Sequence, residues 1–345
     1  MYFCHSCKNV NESRMTPYIS LAPFQGITNK AFRNVFTKHF PGYDAVYSPF
    51  ISGVGSERVN PSKFRDVTPF EENTVFTVPQ FLSTDAKEIV AIGKHLANYG
   101  FTEMNWNMGC PFSRLANKMR GCGILPYPDD IDKLLDEAMP LLTIRLSIKC
   151  RLGYKSPDEL LKIAGIFNKY PITEIIVHPR IGTQLYRGDV NLAGFADFLE
   201  VNRQKVAYNG DIYHQSKYQE LQSLFPSVTH WMVGRGALIN PFLASQIKGI
   251  YLDENGKRRI IRGFHDEIFM CYKSNGISKS RMLGSLKSIW YYMCGMFVDG
   301  PVFFNELKIC TETVKYLETV EKLTEQPFNF EKDIEEYFRN GLKHI

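Results

Sequence analysis

The 345 residues carry 41 Lys and Arg against 36 Asp and Glu, a net charge of +5, with 44% hydrophobic and 22% charged positions. This length exceeds one small domain and fits a barrel-sized domain followed by a smaller one, with the composition of a soluble globular protein that has a large core. No run of about 18 or more apolar residues is present, which excludes a membrane-spanning helix, and the mild charge permits a polyanionic partner without demanding one.

Met1 to Arg14 lacks the apolar core of a signal peptide, so a cytoplasmic location is expected. There the eight scattered cysteines stay reduced. The one tight pair is Cys4-His5-Ser6-Cys7. A zinc site takes about four ligands and no second CxxC completes this one, so no metal is expected and residues 1–15 read as an extension.

Between Tyr18 and Pro241 short apolar runs alternate with helical periodicity. Strands are predicted at Ile19–Ala22, Asp44–Tyr47, Val75–Leu82, Thr102–Asn107, Leu146–Arg151, Glu174–His178, Lys205–Asn209 and His230–Val233. Helices are predicted at Lys30–Lys38, Ala86–Tyr99, Ile131–Met139, Pro157–Lys169, Leu192–Asn202 and Gln215–Phe225. Nearly continuous apolar strands alternating with helices mean a parallel sheet covered on its outside. Eight such units give a (β/α)8 TIM barrel over residues 16–248. An open doubly wound sheet is the alternative, weakened because no GxGxxG follows the first strand.

Beyond Pro241 the texture changes. Asp253-Glu254-Asn255-Gly256 reads as a turn, and from about Arg258 the pattern is helical, giving a smaller all-helical domain over residues 249–345. Residues 251–290 hold eight basic and four acidic side chains, whereas 291–345 hold six and ten. The basic half, with Lys257, Arg258 and Arg259, fits a nucleic-acid-facing surface; an ordinary solvated helix face fits equally well.

In barrels of this kind active sites lie at the C-terminal ends of the strands. There this sequence places Pro23, Phe24 and Gln25, then Gln80, then Asn107-Met108-Gly109-Cys110-Pro111. Lys149 and Arg151, His178-Pro179-Arg180, Asn209-Gly210-Asp211 and Gly234-Arg235-Gly236 complete the set. Cys110 opens a glycine-bearing basic loop with Arg114, Lys118 and Arg120, where a thiol could serve as nucleophile, general acid, metal ligand or nothing. Cys122, between Gly121 and Gly123, competes with it. The two glycine turns after the last strands suit a phosphate-bearing cofactor, through close backbone approach and one guanidinium. Lys149 on a buried strand needs an anionic partner, either a structural carboxylate or an anionic cofactor.

These segments, with Leu21-Ala22-Pro23-Phe24-Gln25-Gly26-Ile27-Thr28, Lys149-Cys150-Arg151-Leu152-Gly153 and Gly234-Arg235-Gly236-Ala237, resemble the tRNA-dihydrouridine synthases of bacterial type in order and spacing, from about residue 19 to 240. Phe24 stands where that family usually has methionine, and Pro179 where it usually has glycine. The resemblance implies FMN, with Pro23, Phe24, Gln25, Gln80, Lys149 and His178 around the ring and ribityl chain. It implies Asn209, Gly210, Asp211, Gly234 and Arg235 at the phosphate, and Asn107, Arg151 and Tyr186 at the target base. It further implies hydride passing from NADPH to FMN and from flavin N5 to C6 of a flipped-out uracil, with Cys110 donating the proton to C5. The basic residues after Cys110 become the lip over which tRNA enters. Leu286-Lys287-Ser288-Ile289-Trp290 resembles the branch acting at D-loop position 16, while the choice of uridine stays open. A monomer without a protein partner is expected. The alternatives are a small-molecule flavin oxidoreductase of the dihydroorotate or dihydropyrimidine dehydrogenase kind, and a tRNA-binding folding aid without turnover.

Overall fold

The structure is a computed structural model that describes residues 16–57 and 59–330. The Cys4/Cys7 pair and the 1–15 extension lie outside the described residues. Nine parallel strands run in chain order: β1 (Tyr18–Leu21), β2 (Ala45–Tyr47), β3 (Phe76–Val78), β4 (Gln80–Phe81), β5 (Glu103–Met108), β6 (Arg145–Gly153), β7 (Glu174–Ile181), β8 (Lys205–Tyr208) and β9 (His230–Val233). Their order around the sheet is β3-β2-β1-β9-β8-β7-β6-β5-β4. The strands are buried almost throughout, because helices cover their outer faces and side chains fill the interior.

The eight expected strands are all present, and the third is divided. Pro79 lacks an N–H and separates β3, which pairs with β2, from β4, which pairs with β5. Its carbonyl still accepts from Asn105 N–H at 2.9 Å, so the two halves all but close the barrel.

Among the described residues thirteen α-helices accompany the strands: α1 (Lys30–His39), α2 (Ala86–Asn98), α3 (Ser113–Ala116), α4 (Pro128–Ala138), α5 (Asp158–Phe167), α6 (Leu192–Val201), α7 (Gln215–Leu224), α8 (Arg235–Ile239), α9 (Leu243–Ile247), α10 (Glu254–Ser274), α11 (Lys279–Met293), α12 (Gly300–Ile309) and α13 (Thr313–Thr324). The one-turn helices α3, α8 and α9 are too short to announce themselves by periodicity. The expected turn at 253–256 is instead the start of α10. Asp253 caps it, its Oδ1 accepting from Gly256 N–H at 2.8 Å.

The helical region packs directly on the barrel. Phe264 of α10 meets Phe32, Phe36 and Phe40 at ring distances of 5.1–6.0 Å, and Lys38 and His39 of α1 bind Glu267 at 2.8 Å. Leu286, Ile289 and Trp290 of α11 are core, with Trp290 Nε1 donating to Tyr316 at 3.0 Å. Lys287 donates to the carbonyls of Lys308 and Cys310. The segment singled out for its likeness to the position-16 branch therefore holds this region together. Among the described residues no helix is long and apolar enough to cross a membrane.

Candidate active site

At the C-terminal ends of the strands lies a cavity of about 370 Å³ lined by Pro23, Phe24, Gln25, Gln80, Asn107, Cys110, Phe112, Lys149, Arg151, His178, Tyr186 and Tyr292. It shares Pro23, Phe24, Lys149, His178 and Tyr186 with a narrower polar recess lined also by Asn209, Gly210, Asp211, Tyr213, Gly234 and Arg235. Every residue expected around a cofactor ring, its phosphate or the target base is thus in one cleft.

The loop carrying Cys110 is fixed from several sides. Asn107 Oδ1 accepts from the N–H groups of Gly109 (3.1 Å) and Cys110 (2.9 Å), and its Nδ2 donates to Gln80 Oε1 at 2.6 Å. Gln80 in turn donates to Asn105 Oδ1 at 2.8 Å. Arg151 donates to the carbonyls of Gly109, Ile181 and Leu185 at 3.0, 3.0 and 2.6 Å. Asn107 and Arg151 reach the cleft, yet these bonds hold the thiol's loop rather than leaving both side chains open to a base. Below, the Cys122 N–H donates to the Cys110 carbonyl at 3.1 Å. Gly121 has φ +61°, and a Cβ there would lie 2.5 Å from that carbonyl oxygen, so only glycine fits.

The two cysteines separate cleanly. Cys110 lines the cavity. Burial pushes its thiol above the ordinary range, against the Phe112 N–H and the charges of Arg151 and Lys149. Cys122 is wholly buried in the hydrophobic core, its thiol raised to about 12 by burial. It does not reach the cleft.

Lys149 faces the cleft with no carboxylate within ion-pair distance among the described residues. Burial, then the neighbouring Arg151 charge, lower its ammonium to about 8. His178 is held neutral by burial and by Arg151, Lys149, Arg180 and Arg235. Arg180 donates to His178 Nε2 at 3.2 Å, which assigns the ring proton to Nδ1.

The recess is built around a carboxylate. Asp211, at φ +44°, binds Arg180 and, at 2.6 Å, Arg235. Burial opposes its ionisation, but these two cations hold its carboxyl below the usual range. Asp211 thus positions two guanidiniums with its carboxylate, which leaves its backbone as the part of this residue suited to a phosphate. Arg180 reaches it because β7 carries an extra residue against β6: Arg151 pairs with His178 but Gly153 with Ile181. Pro179 sits in that irregularity, where no ladder donor is required. Asn209 Nδ2 donates to the Met232 carbonyl at 2.8 Å, tying β8 to β9. Arg235 also lies over the rings of Tyr186 and Tyr213 at 5.0 and 5.5 Å.

The basic residues assigned to tRNA divide. Arg114 and Lys118 are exposed and Arg120 half-buried, and none of the three lines the cleft; Lys118 borders a separate groove with Thr84, Asp85 and Lys133. Arg259 is exposed. Lys257 and Arg258 instead lie over Phe330 and Phe328 at 5.0 and 4.9 Å, and Arg258 donates to the Thr324 and Gln326 carbonyls. Composition alone cannot separate a basic face from cations turned inward, and here two of the three brace the end of the helical region.

Sequence reasoning missed Phe112, Tyr213 and Tyr292. Tyr292 comes from α11 and meets Phe24 edge-on at 5.9 Å, so the helical region contributes to the cleft. Phe112 follows Cys110-Pro111 directly, a signal that was available. No cluster of metal-ligating side chains occurs among the described residues.

A sequence model described as dihydrouridine synthase matches residues 20–274. The tRNA-dihydrouridine synthase B of Pasteurella multocida (strain Pm70) is 24% identical over 312 residues, covering 88% of this chain and 91% of its own. The tRNA-dihydrouridine(16) synthase of Neisseria meningitidis serogroup B (strain ATCC BAA-335 / MC58) is 26% identical over 249 residues, covering 70% and 74%. Among solved structures, morphinone reductase superposes with a TM-score of 0.50 at 10% identity, over 69% of this chain and 87% of its own, a likeness of fold alone. With its family match running from the first strand into α10, the chain belongs to the dihydrouridine synthase family of oxidoreductases.

Proposed function

We propose that this chain reduces the C5=C6 bond of a uridine in tRNA, with FMN as bound cofactor and NADPH as reductant, the barrel (16–248) housing the chemistry and the helical region (249–345) meeting the tRNA. The observation that carries the reading is the presence, in one cleft, of the Cys110 thiol and of a Lys149 ammonium that has no carboxylate within ion-pair distance among the described residues. The relatives' names supply the substrate class.

FMN fits the residues present. Arg180 and Arg235 share one carboxylate, Asp211, and Lys149 and Arg151 make no ion pair among the described residues, so the site carries a surplus of positive charge that a phosphate and an electron-rich ring would balance. The narrow recess of Asn209, Gly210, Gly234 and Arg235 would hold the phosphate; Pro23, Phe24, Gln25, Gln80, Lys149 and His178 would hold the ring and ribityl chain. Bound there, FMN would supply the hydride.

The chain's own residues do the rest. A base stacked in folded tRNA cannot reach a cleft this enclosed, so the uridine must be extruded into it. Cys110 holds a proton at Sγ and delivers it to C5 of the uracil. Its elevated pKa keeps the proton on the sulfur until the carbon is basic enough to take it. The Phe112 N–H and the Arg151 and Lys149 charges then stabilise the thiolate left behind. Asn107 and Arg151 keep the sulfur in place.

The test is dihydrouridine formation in tRNA from cells lacking the modification, by protein loaded with FMN and supplied with NADPH. Appearance of dihydrouridine at one mapped position supports the reading. Failure to bind FMN on reconstitution, or reduction of free pyrimidines but not of tRNA, would overturn it.

A further inference from the structure

Phe112 breaks two local preferences at once. It is 63% exposed, and it occupies the N-cap position of α3 without making a side-chain cap. Ser, Asp or Asn at such a position would stabilise the turn by about 1 kcal/mol, and would keep a phenyl ring out of water. When a sequence abandons the locally favoured residue at an active-site rim, the compensating gain lies in binding or chemistry.

The ring is presented from a rigid base. The Phe112 carbonyl accepts from Leu115 and Ala116 N–H at 2.8 and 2.9 Å. Beneath the loop, a Cβ on Gly123 would lie 2.2 Å from the Ala116 carbonyl oxygen, so the two segments are in direct backbone contact. Arg114, on the same turn, is exposed beside it. Across the cleft stands Tyr186, also exposed. An aromatic face next to an exposed guanidinium at the mouth of a cleft is the chemistry that receives a nucleobase.

Cys110, Lys149 and Phe112 all line the cavity that would take the target uracil, but Cys110 is buried whereas Phe112, 63% exposed, stands at its rim. We infer that Phe112 stacks on the nucleobase adjoining the extruded uridine, replacing the stacking that extrusion removes. The inference rests on the tRNA-reduction reading above. It makes Phe112 a substrate-binding residue whose contribution depends on a π face rather than on apolar area.

The experiment compares Phe112→Ala, Phe112→Leu and Phe112→Trp in FMN-loaded full-length protein. Base–aromatic stacking contributes about 1–3 kcal/mol, so Phe112→Ala should lower kcat/KM for tRNA by roughly 5- to 150-fold. Phe112→Leu should fall with it, and Phe112→Trp should hold near wild type. FMN content, the rate of flavin reduction by NADPH and Tm should not move in any of them. The three native tryptophans, Trp106, Trp231 and Trp290, are buried, so fluorescence of the new exposed indole should be quenched saturably by tRNA. Wild-type kcat/KM in Phe112→Ala, or in Phe112→Leu, overturns the inference while leaving the tRNA reading intact. A wild-type protein that makes no dihydrouridine overturns both.

Discussion

Arg151 Nε donates to the carbonyl of Gly109 at 3.0 Å, which places a buried guanidinium one peptide away from the Cys110 thiol. The same guanidinium donates to Ile181 and Leu185 and lies 5.2 Å from the Tyr186 ring. One side chain from β6 therefore gathers the loop after β5 and the loop after β7 around the Cys110 thiol. A lysine has one ammonium and cannot reproduce this planar fan of donors.

Arg151→Lys should consequently act through geometry. A displacement of the thiol by about 1 Å costs on the order of 100-fold in rate, so kcat for tRNA should fall by about that factor with KM little changed. Steady-state kinetics on FMN-loaded protein checks this. A rise in KM at constant kcat would mean instead that Arg151 binds the base directly.

Cys110→Ala should retain FMN and its reduction by NADPH but lose uridine reduction by about 10²–10⁴-fold, the span attributed to a positioned general acid. Because the acid must be protonated, activity should decline as pH rises through a thiol pKa displaced upward by burial. Cys122→Ala should leave the rate intact and lower stability by on the order of 1–2 kcal/mol, through the cavity it opens in the core. Single-turnover reoxidation of reduced protein by tRNA separates the two variants.

Much of this was legible beforehand, for identifiable reasons. Strands buried on both faces leave continuous apolar runs, and barrel topology then puts their C-terminal ends at one mouth, so Lys149, His178 and Arg235 could be placed together without coordinates. What each side chain touches there was not legible. Asn107 and Arg151 belong to the cleft by position, but Asn107 binds the Gln80 side chain and the N–H groups of its own loop, and Arg151 binds carbonyls of neighbouring segments. Asp211 sits in a phosphate-type turn, yet its carboxylate meets Arg180 only because of the extra residue in β7, which no pattern of apolar positions reports. Lys257 and Arg258 count as charge in the sequence and as packing over Phe330 and Phe328 in the fold.

Lys149 makes the cofactor-free protein sensitive to alkali in an unusual direction. Its ammonium is lowered from 10.5 to about 8 in the fold, so between these values the unfolded chain binds the extra proton. Stability should then rise with pH from about 8 to 10.5, against the general alkaline trend. Lys149→Met should abolish this rise and stabilise the cofactor-free protein at pH 7 by on the order of 1–3 kcal/mol, while weakening FMN binding. Urea melts across pH with and without FMN test it. If the charge is balanced when FMN binds, the pH-dependent rise should shrink in the loaded protein.

At the opposite end of the barrel, Ser20 Oγ lies 2.6 Å from His230 Nε2, and His230 Nδ1 lies 2.7 Å from Glu174 Oε2. The arrangement has the geometry of a nucleophilic triad, but all three residues are buried, and Glu174 and His230 open their strands at the N-terminal end, where barrels build stability rather than activity. The chain of bonds clasps β1, β9 and β7, with Lys205 of β8 pairing to Glu174 at 3.3 Å. Burial opposes ionisation of Glu174, yet its hydrogen bonds and electrostatic contacts with His230 and Lys205 hold its carboxyl below the ordinary value. A carboxyl lowered in the fold contributes stability above its unfolded pKa, near 4.5, and loses it as pH falls through the folded value. Glu174→Gln should therefore flatten the acid limb of the stability profile. His230→Ala should cost about 3 kcal/mol or more, because it leaves the carboxylate buried without its main partner. Neither should change FMN binding, and a serine-reactive fluorophosphonate should leave Ser20 unlabelled in the folded protein. Labelling of Ser20 would turn this clasp into a second active site.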